Sequence, residues 1–485
     1  MLDSTSCITT ELSSIELTNQ DVPAKGQTSK ITQDLGGLNI LEFCIKQESD
    51  GPGSPLLPKS PHCEPTPATG TPNTDVYNTQ TPPSNDDSVS QFIEKMGHEG
   101  LDVIHHLMLV EPDVEKRVEL LNALGNGLSK HYQNHGGLGI LNRAVSFYED
   151  AIQMAALDSP HRSIYLNNLG ASLGLRFKHL GGVHDINKSI LMLQDAVQLT
   201  PDGHPDKPGC LNNLGSSLFH HFKHLGNIND MDNSIRVYEN TVQLTPDGHP
   251  DKPGRLNNLG GSLLHHFERL GNITDVNNSI RVGEDAVQLT PDGHPDKPGH
   301  LNNLGGSLLR RFQHLGNITD MDNSIRVQED AVQLTSDGHP DKPHHLNNLG
   351  GSLLCRFEHL GNITDLGNSI RVGEDAVRLT PDGHPEMPGH LNNLGGSLLH
   401  RFQCLGNITD MDNSIRVQEN AVQLTPDGHP DKPGLLTNLG NSLLTSFECL
   451  GDQDILELAI KTLSTAAQSN MGSPSARFKA GITWA

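Results

Sequence analysis

The chain has one tryptophan, and aromatic residues make up only 4% of its 485 positions. A single large core anchored on aromatic rings is thereby excluded. No run of about 18 apolar residues occurs, so no segment reads as a membrane-spanning helix. The start, MLDSTSCITTELSS, lacks the basic residues and apolar stretch of a secretory leader. The seven cysteines contain no Cys-x-x-Cys pair and form no small-domain framework. That argues against a disulfide scaffold and fits reduced thiols in the cytoplasm. No glycine-rich phosphate loop, GxSxG elbow or HExxH occurs, so the chain is expected to be non-enzymatic and to need no cofactor. Basic residues are also few. There are 34 Lys and Arg against 58 Asp and Glu, a formal charge of −24. Nucleic acid and anionic membranes are disfavoured as partners, and the acidity suits either a well-solvated surface or a basic protein or peptide partner.

What is abundant is repetition. Leu-Asn-Asn-Leu-Gly starts at Leu166, Leu211, Leu256, Leu301, Leu346 and Leu391, with worn copies at Leu121 and Leu436. A fixed period of 45 residues signals a stacked array, each unit burying its apolar face against its neighbours. In the unit beginning at Leu256, Leu256, Leu259, Leu263, Phe267 and Leu270 recur at helical steps, and Gly271 ends the run. A second helix is expected with Thr274 or Asp275 as its cap. Val276, Ile280, Gly283 and Val287 should share its buried face, with Ala286 beside them. Pro291-Asp-Gly then turns the chain, and Pro295 and Pro298 are expected to keep it out of helix until the next unit.

These residues resemble the tetratricopeptide repeat (TPR). Leu256, Leu259, Gly260 and Leu263 fit the first helix of that pattern, and Ser279, Ala286 and Pro291 the second. Long-period arrays of the kinesin light chain type and fungal arrays that precede CHAT protease domains are similar. The resemblance covers roughly residues 121–467. It implies an all-α, right-handed superhelical solenoid of about eight helix-turn-helix units. The unit is longer than the usual 34 residues or so, and the added residues are assigned to the loops, mostly the inner one. The aromatic position of the pattern is Tyr148, Leu193 and Tyr238 early on, but Gly283, Gln328, Gly373 and Gln418 in the middle units. The middle of the array should therefore be softer.

Taken in order, residues 1–88 read as a disordered Ser/Thr/Pro-rich tail. Residues 89–120 read as an N-terminal helical cap. Residues 121–470 form the array, with units starting at 121, 166, 211, 256, 301, 346, 391 and 436. Residues 471–485 resemble the start of a linker to a further domain.

On a helical wheel Asn257, Asn258 and His265 lie opposite the leucines. Asn302, Asn303, Arg310, Asn347, Asn348, Asn392, Asn393 and His400 are their counterparts in later units. In TPR arrays the first helices line an inner groove, so the resemblance makes these residues peptide-binding candidates. Each amide carries both a donor and an acceptor, so a row of them can hold the backbone of an extended peptide. One Asn of each pair is otherwise expected to bond the neighbouring unit's backbone. Two positions vary between units. One runs Lys130, Leu175, His220, His265, Arg310, Cys355, His400 and Thr445. The other runs Leu120, Tyr165, Cys210, Arg255, His300, His345, His390 and Leu435. Both are candidates for groove specificity. The function implied is a scaffold that binds a protein or peptide. The alternative is the sensor arm of a CHAT-type cysteine protease whose catalytic domain lies outside this chain.

Overall fold

A computed structural model describes residues 111–469, with Leu101, Asp102, His105, Leu109 and Gly481. All of these lie in the unit Ser54–Ala485. The expected tail, most of the expected cap and nearly all of the segment 471–485 fall outside the described residues.

The described residues form sixteen helices and no strand. In chain order they are α1 (Val114–His135), α2 (Leu138–Met154), α3 (Arg162–Leu180), α4 (Val183–Leu199), α5 (Lys207–Leu225), α6 (Ile228–Leu244), α7 (Lys252–Leu270), α8 (Ile273–Leu289), α9 (Lys297–Leu315), α10 (Ile318–Leu334), α11 (Lys342–Leu360), α12 (Ile363–Leu379), α13 (Met387–Leu405), α14 (Ile408–Leu424), α15 (Lys432–Leu450) and α16 (Gln453–Gln468). Odd-numbered helices are the first of each unit and even-numbered ones the second. Each helix packs on the one before and the one after, and successive odd helices also touch. This is an all-α TPR-like array. None of the described helices is long and apolar enough to cross a membrane.

The unit differs from the sequence expectation in three places. The inner connection is only Gly271 and Asn272, so the added length does not lie there. The two helices themselves are long, at 19 and 17 residues. Gly271 sits at φ 73°, the left-handed conformation that closes a helix without steric cost. The cap of α8 is Asn272 rather than Thr274 or Asp275. Its side chain accepts a hydrogen bond from the Thr274 backbone N–H at 3.2 Å. Pro298 does not keep the chain out of helix but stands in the first turn of α9. A proline there loses no hydrogen bond, because that N–H has no helical partner anyway. In the same way α1 begins at Val114, inside the stretch assigned to the cap.

The core runs along the array as a chain of clusters. Leu264, Phe267, Val276, Ile280, Leu301, Leu304 and Leu308 form one of them, with Val327 and Ala331 of the next second helix. Leu270, expected in the core, is 57% exposed, while Leu264 is buried. The Gly of each Leu-Asn-Asn-Leu-Gly motif lets the second helix approach. A Cβ on Gly125 would lie 2.7 Å from the Tyr148 ring, and one on Gly440 2.6 Å from Leu463. The small serines in the second helices are also bonded. Ser279 Oγ donates to the Gly260 carbonyl at 2.7 Å, and Ser189, Ser234, Ser324, Ser369 and Ser414 repeat the bond.

Candidate functional site

The helix wheel brings two asparagines of each first helix to the same side, and the structure joins them between units. The second Asn of each unit donates its Nδ2 to the Oδ1 of the first Asn one unit earlier. Asn258 donates to Asn212 at 3.1 Å, Asn303 to Asn257 at 3.0 Å, and Asn348 to Asn302 at 3.1 Å. The bonds Asn168 to Asn122, Asn213 to Asn167, Asn393 to Asn347 and Asn438 to Asn392 complete seven rungs. Both members of each pair thus serve the array. The expectation that one would bond the neighbour's backbone is replaced by side chain on side chain. Asn257, Asn258, Asn302, Asn303 and Asn348 are buried, and Asn347, Asn392 and Asn393 are half-buried.

The half-buried rungs face a cavity of about 1000 Å³. Its wall comes mainly from α9, α11, α13 and α15, with Lys178 and His179 of α3. Six of the eleven candidates line it: Arg310, Asn347, Asn348, Asn392, Asn393 and His400. Asn257, Asn258, His265, Asn302 and Asn303 do not. Gly351 and Gly396 complete this part of the wall, and a Cβ at either would meet nothing within 4 Å.

The first variable position follows the ladder and is matched across units. Arg310 Nε donates to Glu268 Oε1 at 2.7 Å, Gln313 Nε2 to Cys355 Sγ at 3.9 Å, and His400 lies 3.1 Å from Glu358. His265 sits 3.0 Å from Glu268 on its own helix. Burial works to raise the Glu268 carboxyl, but His265 and Arg310 prevail and lower it. The second variable position lies between units, and among its members only His390 and Leu435 reach the cavity wall. His300 is 2% exposed and its Nδ1 lies 2.9 Å from Thr290 Oγ1. His345 and His390 repeat that bond with Thr335 and Thr380, and Arg255 donates to Thr245. These side chains pin α7, α9, α11 and α13 to the end of the preceding second helix. The recurring loop histidines are structural as well: His204 Nδ1 accepts from the Asp206 backbone N–H at 3.2 Å, and later loops repeat it.

Sequence reasoning named His390 but passed over its partners on the cavity wall, His344 and Glu386. His344 Nδ1 lies 3.3 Å from Glu386 Oε1, and its Nε2 lies 3.0 Å from Asn348 Nδ2. His390 Nε2 is 3.7 Å from the other Glu386 oxygen. Burial works to raise the Glu386 carboxyl, yet His344, His390 and His384 outweigh it and hold it at about 2. Burial pushes the His390 imidazole down to about 4, with Glu386 offsetting part of the effect. The signal was present in the repeat. His344 and Glu386 stand where most other units have Gly and Asp, and the two departures meet in space.

No family model and no curated protein matches the chain. Among solved structures, one from Podosopora anserina, a putative kinesin light chain with nearly identical TPR-like repeats, is 14% identical. It covers 45% of this chain and 99% of its own, with a TM-score of 0.33. The apo form of the quorum sensor NprR from B. thuringiensis is 11% identical, covers 78% and 96%, and has a TM-score of 0.45. A monomeric mutant of IFIT1 with m7Gppp-AAAA is 11% identical, covers 82% and 90%, and scores 0.36. At these scores no ligand or partner of those proteins carries over to this chain. The chain is a TPR-like helical repeat array, similar in that respect to repeat proteins of the kinesin light chain type.

Proposed function

We propose that the array is a non-enzymatic scaffold that binds a protein or peptide segment in the cavity along α9 to α15. The observation that carries this is the cavity wall itself: half-buried amides, two glycines with open space before them, and cationic and histidine side chains from several units. Such a wall offers hydrogen bonds to a backbone rather than a pocket for one small molecule. The chain's excess of acid favours a basic partner, but that acid lies largely outside this wall. Within it, Glu358, Glu386 and Asp431 face His400, His344 and His429.

The asparagines are poor probes of binding, because removing any of them also removes a rung. Gly351 and Gly396 are better. A Cβ at either position meets nothing within 4 Å, so a leucine there starts in open space and projects into the cavity. A partner captured from the source lysate by the parent should be lost from Gly351→Leu and Gly396→Leu, with melting temperatures unchanged or higher. Equal capture by parent and both variants would sink the reading.

A further inference from the structure

Six first helices begin with a cation that bonds the end of the second helix before it. Lys207 Nζ donates to the carbonyls of Val197 and Thr200 at 2.9 and 2.7 Å. Lys252 and Lys342 make the same two bonds, and Lys297 and Lys432 bond the threonine carbonyl. Arg162 takes this part at the start of the array, on Ile152 and Ala155. Each lysine also pairs with a loop aspartate, in turn Asp202, Asp247, Asp292, Asp337 and Asp427. The last carbonyls of a helix have no helical partner and carry partial negative charge, so a cation suits them. An ammonium has three N–H groups, enough for two carbonyls and a carboxylate.

The junction between α12 and α13 keeps the acceptors and has no such cation. Val377, Thr380 and Asp382 stand at the matching places, but the lysine is replaced by Met387. Met387 packs half-buried against the cluster of Phe357, Leu391 and Leu394, and a thioether has no hydrogen to donate. The helix cannot serve the Val377 carbonyl itself, because the residue four places on is Pro381, which has no N–H. Arg378 stands where the other units have glutamine, and it is bonded to Asp375 at 2.6 Å. Glu386, beside Met387, is faced by His344 and His390. Gly383, His384 and Met387 line the cavity, so the junction opens on it.

We infer that the α12–α13 junction takes the ammonium of a lysine side chain from the bound segment, in the place that the chain's own lysines fill at five other junctions. This rests on the binding reading above. The test uses the full chain with carbon-13 methyl-labelled methionine, the Met387 signal being identified by its loss in Met387→Leu. At constant ionic strength, n-butylammonium should move that signal saturably. Butyltrimethylammonium, with the same charge and no N–H, should not. Asp382→Asn should weaken n-butylammonium binding about three-fold or more. Met387→Lys, which supplies an ammonium from the chain itself, should raise the melting temperature. It should also lose a cellular partner that the parent and Met387→Leu both capture. No saturable movement, equal movement with butyltrimethylammonium, or a melting temperature of Met387→Lys at or below the parent's overturns the inference. A partner lost from Gly351→Leu but kept by Met387→Lys leaves the scaffold reading standing and overturns the lysine; n-butylammonium binding would then assign the site to a small free amine. A partner that none of these changes affects sinks both.

Discussion

Single side chains decide how well each unit of this array is filled. Gln328 occupies the position held by Leu193 and Leu463 elsewhere, is 0% exposed, and leaves both amide atoms unpartnered. Gln418, one period pair further on, accepts from Ser442 Oγ at 2.6 Å, while the matching Ser352 Oγ is orphaned like Gln328. A buried amide without partners costs about 1–3 kcal/mol. Gln328→Leu should therefore raise stability by about that amount, whereas Gln418→Leu, which leaves Ser442 only its longer 3.4 Å contact with Ser414, should gain little or lose. Urea denaturation of the two variants checks this, and equal effects would show that Gln328 is satisfied in solution. The sequence exposed the position but not its cost, because an amide at that place is read as lost volume until its neighbours are known.

At the scale of helices and their junctions, the lesson is about what repetition reveals and what it conceals. The period of 45 residues located every helix pair, because the same apolar face returns in each copy. It could not choose among Asn272, Thr274 and Asp275 as the cap, since each has a suitable side chain. Nor could it decide whether Pro298 lies before a helix or in its first turn, as proline suits both. The ladder was half visible: two adjacent asparagines per period allow bonds between residues 46 apart, the separation observed. Which atoms meet depends on helix rotation that the letters do not carry. The junction between α12 and α13 gives a pH test. Burial lowers His390 to about 4, so it is neutral when folded, while an unfolded histidine titrates near 6.5. Acid favours the unfolded chain, which binds the extra proton. The junction's contribution is thus intact above about pH 6.5 and is lost as pH falls toward 4, by up to about 3 kcal/mol. His390→Leu, which copies Leu435 of the last unit, should flatten that part of the stability curve. Parallel pH profiles for parent and variant would refute it.

Across the whole array, stability is a sum of units and the contacts between neighbours. The second helices α2, α4 and α6 place Tyr148, Leu193 and Tyr238 in the core, all nearly or fully buried. The helices α8 and α12 place Gly283 and Gly373 there, against Leu304 and Leu394. In addition α8 borders surface clefts of about 540 and 530 Å³ on its two sides. Backbone amides of α8 should therefore exchange with deuterium faster than those of α4 and α6, because they open with less apolar contact to break. Uniform protection from α4 to α8 would show that the serine bonds and the ladder make up the difference.

The seven rungs all run in one sense, the later unit giving the hydrogen and the earlier one receiving it. Every internal unit thus begins with the same plug and ends in the same socket. A block of 45 residues can be spliced in or cut out at any joint, and the remaining plugs and sockets still meet. Near-identical middle units are the raw material for such splicing. The array can lengthen or shorten its reach by whole steps, as a chain gains or loses links, with no joint redesigned.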